Sequence, residues 1–184
     1  MSRIIRATDM QAQPWKNGMG LTREIARFPA DTASDDFVWR ISVAEVNSAS
    51  PFSTFPGIDR QIVLLDGGGF IMTLDGKQRH ALTMPLVPFA FAGEAWVDVQ
   101  MEGGATRDFN LMVRRAQATG RVELLTGPGS HVMPADCVLV YLAQGTADTL
   151  AGPLGAGDAW QPDSSPVELH EGAKALLACV AAHG

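Results

Sequence analysis

Glycine and proline interrupt this chain roughly every 8–12 residues, between short apolar runs, and that punctuation points to a sandwich or barrel rather than to helices. There are 19 Gly and 11 Pro in 184 residues, enough to end almost every run. The clearest strand is "FVWRISVAEV", Phe37 to Val46. Strand side chains alternate between two faces. Phe37, Trp39, Ile41 and Val43 fall on one face, and Val38, Arg40, Ser42, Ala44 and Val46 on the other. That second face is small or apolar around a single Arg, whereas a face in water would be more polar. Pro56-Gly57 fits the centre of a type II turn, where Gly supplies the positive φ. "RQIVLLDGGGFIMTLDGKQRHAL" then reads as strand, glycine turn, strand, hairpin, strand, with Asp75-Gly76 a two-residue hairpin signal. Gly67 to Gly69 lack the Lys and the helix of a phosphate loop, so they read as a tight turn. "LVPFAF", "AWVDVQM" and "DFNLMVRR" add three strands.

After Arg115 the same cadence starts again. "CVLVYLAQG", "DTLAGPLGAGDAW" and "VELH" repeat the order of strand, turn and corner. "ALLACVAA" follows "VELHEG" and reads as a closing strand despite its alanines. Two copies of a small barrel explain both the length and the repeat. The expected fold is all-β: two antiparallel jelly-roll (cupin-like) barrels packed together, a bicupin. The N-terminal barrel is expected over residues 1–115 and a smaller C-terminal barrel over 116–184.

Composition narrows the partners. Hydrophobic residues make up 46% of the chain, enough for a real core, and the net charge is −6. Nucleic acid or an anionic membrane would want a basic surface, so neither is expected as a partner. "MSRIIRATDM" does not read as a signal peptide. No stretch approaches the roughly 18 apolar residues of a membrane span. Cys137 and Cys179 form no CxxC pair and read as buried thiols in a reducing cytoplasm.

The usual cupin chemistry is missing from the sequence. Cupin enzymes hold a metal through His-x-His, a nearby Glu and a later His. Here His80, His131, His170 and His183 are all isolated. His80 follows the Gly76 hairpin, but position 82 is Leu and no carboxylate comes before Glu94. A metal site needs three or four convergent ligands, so neither metal nor other cofactor is expected, and His80 reads as a surface or rim residue. There is no GxSxG nucleophile elbow. Asp35-Asp36 reads as a solvated loop.

What remains is a set of polar residues inside strands. Arg23 lies between Leu21 and Ile25 on one strand face. If that face points inward, its guanidinium needs a carboxylate such as Glu24 or Glu45, or an anionic ligand. Arg40 raises the same question. Asn110 shares a face with Asp108 and Met112. Lys16, Arg23, Arg40 and Arg60 gather positive charge in the N-terminal module of an acidic protein. Arginine suits carboxylates because its planar fork can hold both oxygens.

"PWKNGMGLTREIA", "FVWRISVAEV", "SPFSTFPGIDRQIVLLDG" and "FNLMVRR" resemble, in order, the successive motifs of the HutD/Ves family, from Trp15 to Arg114. One departure is Met19, where the family tends to have Gly. The resemblance implies a metal-free bicupin in the bacterial cytoplasm, often linked to histidine utilisation and without an established enzymatic activity. It implies a governor that binds a pathway intermediate, such as N-formylglutamate or a related carboxylate, and limits expression or flux. The Ves branch is linked instead to stress or cold response.

The expected function is therefore regulatory binding of a small anionic metabolite. Arg23 and Arg40 supply charge, with Lys16 and Arg60 beside them. Asn17, Thr22 and Ser42 supply hydrogen bonds, and Trp15, Phe52 and Phe55 form apolar walls. Glu24 and Ser53 complete the set. A pocket that is mostly apolar with a few placed polar groups fits this mixture. Two other readings compete. A metal-independent isomerase, epimerase or hydrolase needs an acid–base pair at the pocket, with His80 and Glu24 as the candidates. A scaffold would act through protein contacts alone, and homo-oligomers are compatible with apolar outer sheet faces.

Overall fold

The structure, a computed structural model, describes residues 2–31 and 36–184. Asp35 therefore lies outside the described residues, and Asp36 is exposed. β1 (Arg3–Ile5) and a 3-10 turn (Ala7–Asp9) lead to β2 (Ala12–Pro14), β3 (Gly20–Phe28) and β4 (Trp39–Val46). Next come β5 (Ile58–Asp66), β6 (Phe70–Leu74), β7 (Gln78–Leu82), β8 (Pro88–Ala92), β9 (Val97–Met101) and β10 (Thr106–Arg114). The second half carries β11 (Ala118–Thr126), β12 (Gly129–Val132), β13 (Cys137–Gln144) and β14 (Thr146–Thr149). It ends with β15 (Gly152–Gly155), β16 (Ala159–Gln161), β17 (Pro166–Leu169) and β18 (Lys174–Ala182). The chain is all-β, and among the described residues no helix is long and apolar enough to cross a membrane.

The chain divides into two units, Gln11–Thr119 with the last three residues, and the first ten residues with Gly120–Ala181. Residues 1–10 thus leave the N-terminal module to which the sequence reading assigned them. The reason is pairing: β1 lies antiparallel to β16, with Ile4 opposite Trp160.

In the Gln11–Thr119 unit one sheet runs β2-β3-β4-β10-β5-β8 and a smaller one β7-β6-β9. They share a core. Val46, Ile62, Leu64 and Phe91 of the larger sheet pack with Phe70, Met72, Leu74, Leu82, Val97 and Val99 of the smaller. The second unit has sheets β1-β16-β13-β18-β11 and β12-β17-β14-β15 around Val140, Leu142, Trp160, Leu169 and Leu177. Each half therefore repeats the plan of a larger and a smaller sheet, as the repeated cadence implies. The ladders do not close on themselves, so the units are two-sheet structures rather than fully hydrogen-bonded barrels. "ALLACVAA" lies within the closing strand, β18. It places Cys179 opposite Cys137 of β13, and both are buried free thiols.

The turns follow their residues. Gly57 and Gly76 take positive φ, as does Asp75 at 50°. The β6–β7 ladder resumes at Gln78 opposite Leu74, so the hairpin loop takes three residues where the dipeptide alone suggested two. Gly67 to Gly69 form the tight β5–β6 turn. A Cβ on Gly69 would sit 2.2 Å from the Leu82 carbonyl oxygen, so only glycine fits there.

Candidate ligand-binding site

The larger sheet of the Gln11–Thr119 unit puts one face of β4, β10 and β5 under a cavity of about 480 Å3. Register decides what that face shows. Arg40, Met112 and Arg60 stand in one row across the three strands, Ser42, Asn110 and Ile62 in the next, and Ala44, Asp108 and Leu64 in the third. The wall is completed by Pro14 to Asn17 of the β2–β3 turn, by Thr22, and by Pro51, Phe52, Ser53 and Phe55 of the segment before β5.

Arg60 is the most deeply buried cation of the site. It is 7% exposed, and its guanidinium carbon lies 4.8 Å from the centre of the Phe91 ring, 5.5 Å from Phe52 and 5.6 Å from Phe55. Its Nη2 donates to Asn110 Oδ1 at 3.0 Å, while Nε is buried with no hydrogen-bond partner. Burial lowers its pKa to about 10, against the pull of Asp108, and it remains a cation at neutral pH. Asn110 Nδ2 donates in turn to Asp108 Oδ1. Asp108 is 1% exposed, and its Oδ2 has no partner. Burial pushes its pKa up to about 7, although the bond from Asn110 and the charge on Arg60 both act to lower it.

Arg40 is held differently. Its Nε donates to Glu24 Oε2 at 2.7 Å, and Arg27 Nε donates to Glu24 Oε1 at 2.6 Å. The β3–β4 register slips between Glu24 and Ala26. This bulge adds one residue to the alternation, so that Glu24 and Arg27, three apart, reach the same face. Burial alone would raise the Glu24 pKa, but the bonds from Arg27 and Arg40 overcome it and hold the carboxyl below its usual range.

At the mouth the turn "PWKNGMG" is built by its own polar groups. Trp15 N–H donates to the Gly20 carbonyl at 2.9 Å, and Asn17 Oδ1 accepts from Met19 N–H at 3.0 Å. Asn17 Nδ2 reaches Ser50 Oγ at 2.8 Å, tying the turn to the opposite wall. Trp15 Nε1 donates to Thr22 Oγ1 at 2.8 Å and fixes the indole against the cavity. Met19 is 38% exposed and lines no part of the cavity, so the departure from Gly narrows nothing there.

Of the residues expected at a site, Trp15, Lys16, Asn17, Thr22, Arg40, Ser42, Phe52, Ser53, Phe55 and Arg60 line this cavity. Arg23 does not. It sits on the opposite face of β3, opposite Val43, and donates to Glu45, one of the two carboxylates foreseen for it. Glu24 stands behind Arg40 rather than in the lining. Gln13, Pro14, Ala44, Val46, Pro51, Asp108, Asn110 and Met112 also line the cavity and were not among the expected residues. Period-two alternation already placed Ala44 and Val46 with Arg40, and Asp108 and Met112 with Asn110. The signal was there, but it needed the pairing of β4 with β10 to bring the two faces together.

His80 does not reach the cavity. It stacks on Phe89 with ring centres 3.6 Å apart, and partial burial lowers its pKa. The proposed acid–base pair of His80 and Glu24 therefore does not meet at this site. Among the described residues no cluster of three His, Cys, Asp or Glu side chains is arranged to hold a metal.

The comparisons agree with this architecture. The HutD family model matches residues 7–177. An uncharacterized 21.2 kDa protein in the hutC 3′ region of Pseudomonas putida is 38% identical over 141 residues, covering 77% of this chain and 73% of that protein. Protein Ves of Escherichia fergusonii is 40% identical over 116 residues, covering 62% of this chain and 59% of Ves. The solved structure of HutD from Pseudomonas fluorescens SBW25, in a formate condition, superposes with a TM-score of 0.87 at 31% identity, covering all of both chains. A cupin 2 conserved barrel domain protein from Leptotrichia buccalis shares the fold alone, with a TM-score of 0.60 at 12% identity over 97% of this chain and 96% of its own. The chain belongs to the HutD family.

Proposed function

We propose that this protein binds a small carboxylate metabolite in the cavity of its N-terminal unit and acts in the cytoplasm as a regulator of histidine utilisation. N-formylglutamate or a related intermediate is the ligand class this reading favours. The observation that carries the reading is Arg60: a buried guanidinium in a cavity, joined to no ion pair among the described residues, with Nε unsatisfied. Desolvating such a charge costs several kcal/mol. Three ring contacts worth about 0.5–2 kcal/mol each help to offset that but give Nε no acceptor. A carboxylate would satisfy Nε and place an anion directly on the guanidinium, which Asp108 reaches only through Asn110. Arg40 stands in the same register row, and Trp15, Phe52 and Phe55 offer apolar walls. The link to histidine utilisation is supported by family membership and by the hutC-region relative.

Thermal unfolding against histidine-pathway intermediates and simple carboxylates tests this. A ligand at about 100 times its Kd stabilises the native state by roughly 2.7 kcal/mol. For a chain of this size that is a shift of several degrees, at about 2–4 °C per kcal/mol. A shift that disappears in Arg60→Met supports the reading, and a flat panel overturns it.

A further inference from the structure

We propose that an anion enters this cavity together with a proton, and that Asp108 takes up the proton. The inference rests on the carboxylate-binding reading and adds what that reading does not contain: the charge state of the site before and after binding.

Buried charge sets the requirement. Arg60 and Asp108 are both fully inside, 7% and 1% exposed, and share the neutral Asn110 as their go-between. One cation and one anion leave this inner cluster neutral. A carboxylate arriving at Arg60 would turn it into two anions around one cation, in a low dielectric. Uncompensated buried charge of that kind is relieved by neutralisation. Asp108 is the group placed to neutralise. Its Oδ1 already accepts from Asn110, and its Oδ2 is unpartnered and free to carry a hydrogen. The proton comes from the buffer acid in solution, which becomes its conjugate base, and ends on Oδ2. No bond of the ligand is broken.

The other charged groups around the cluster act more weakly. On β4, Arg40 is bound to Glu24, which also holds Arg27 of β3, so this trio carries one net positive charge from partly exposed side chains. Lys16, on the β2–β3 turn, is exposed and screened by water. Strands β6 and β9 present only apolar side chains to this core, among them Phe70, Met72, Val97 and Val99. The neighbours of Asp108 across the ladder are Ala44 and Leu64. With a pKa already raised to about 7 before any anion arrives, Asp108 needs only a modest further push.

Isothermal titration calorimetry decides it, with glutarate, formate and acetate as probes in two buffers of different ionisation heat, from pH 6 to pH 8. The expected result is proton uptake near zero at pH 6, where Asp108 is already neutral, rising toward one per bound probe at pH 8. Affinity should fall by up to tenfold per pH unit above about 7. The near-isosteric Asp108→Asn should bind with no uptake and with pH-independent affinity. Binding by wild type without proton uptake at any pH overturns this inference and leaves the carboxylate reading intact. Uptake that persists in Asp108→Asn also overturns it, since another group then takes the proton. Failure of all three probes to bind overturns both.

Discussion

Asp108 and Arg60 face one cavity from neighbouring strands, and they do not form an ion pair. Asn110 stands between them, accepting from the guanidinium and donating to the carboxylate. Its amide orientation follows from this, because arginine can only donate. The consequence is a cation and an acid that feel each other without being spent on each other. Each keeps one buried polar atom unsatisfied, Nε on Arg60 and Oδ2 on Asp108. Native interiors leave few such atoms, and two facing one cavity call for a partner there, an ordered water, an ion or a ligand.

Arg60→Met should separate binding from folding. Methionine fills the slot among Phe52, Phe55 and Phe91 and removes a desolvated charge, while Asp108, left without a nearby cation, relieves its own burial by taking up a proton. The variant should fold with a Tm within a few degrees of wild type and show no carboxylate-induced shift. Arg40→Gln should weaken binding about tenfold and leave it measurable, because Arg40 shares its charge with Glu24. Differential scanning fluorimetry with and without ligand reads both.

The unliganded protein should lose stability as pH rises toward 8. Asp108 has a folded pKa of about 7 against an ordinary value of 3.8. The stability this group contributes is full below pH 3.8 and is lost as pH rises through 7, at no more than about 1.4 kcal/mol per pH unit. Asp108→Asn removes that dependence. The Tm difference between variant and wild type should therefore move in favour of the variant from pH 5 to pH 8, in buffers free of small carboxylates. A constant difference across that range would show that Asp108 ionises as freely in the fold as in water.

Glu24 should act at the opposite end of the pH scale. Its folded pKa lies below 4.5, so the stability it contributes is present above that value and lost as pH falls through the lower one. Glu24→Gln should cost about 1–2 kcal/mol at neutral pH, between an exposed and a buried pair, and flatten the acid limb of the stability curve. It should also weaken carboxylate binding, because Arg40 loses the partner that aims it. Acid titrations of Tm for the two proteins check the first effect, and calorimetry the second.

The all-β fold was legible because its signals are local. Alternation in "FVWRISVAEV" put Arg40, Ser42, Ala44 and Val46 on one face, and that face lines the cavity. The same rule placed Asp108 beside Asn110. Arg23 was misjudged because orientation depends on register: β3 pairs with β4 so that Thr22, not Arg23, faces inward. The bulge after Glu24 has no residue signature of its own, so the alignment of Glu24 with Arg27 could not be read from spacing. The assignment of residues 1–10 to the second unit depends on a strand pairing more than 150 residues away, from Ile4 to Trp160, which no local pattern carries.

Gly20 offers a test of how the first turn holds the cavity wall. A Cβ at this position would lie 2.4 Å from the Glu45 carbonyl oxygen and 3.0 Å from two carbons of the Trp15 ring. The carbonyl cannot give way, because Gly20 and Leu21 are paired with Val46 and Glu45 in the β3–β4 ladder. The β3 backbone must therefore pull away from β4 at Gly20, and the indole must shift with it, which strains its bond to Thr22 and moves the wall next to Lys16 and Asn17. Gly20→Ala should therefore cost about 1–3 kcal/mol, in the range of overpacking, change the tryptophan emission, and weaken carboxylate binding. Gly18→Ala is the matched control. Gly18 has φ of 72° with nothing within 4 Å of a Cβ, so its cost is backbone strain alone, about 1–2 kcal/mol. It should lower Tm while leaving emission and affinity as they are. If both variants lose binding equally, the indole is not what shapes the cavity, and the turn acts through its backbone.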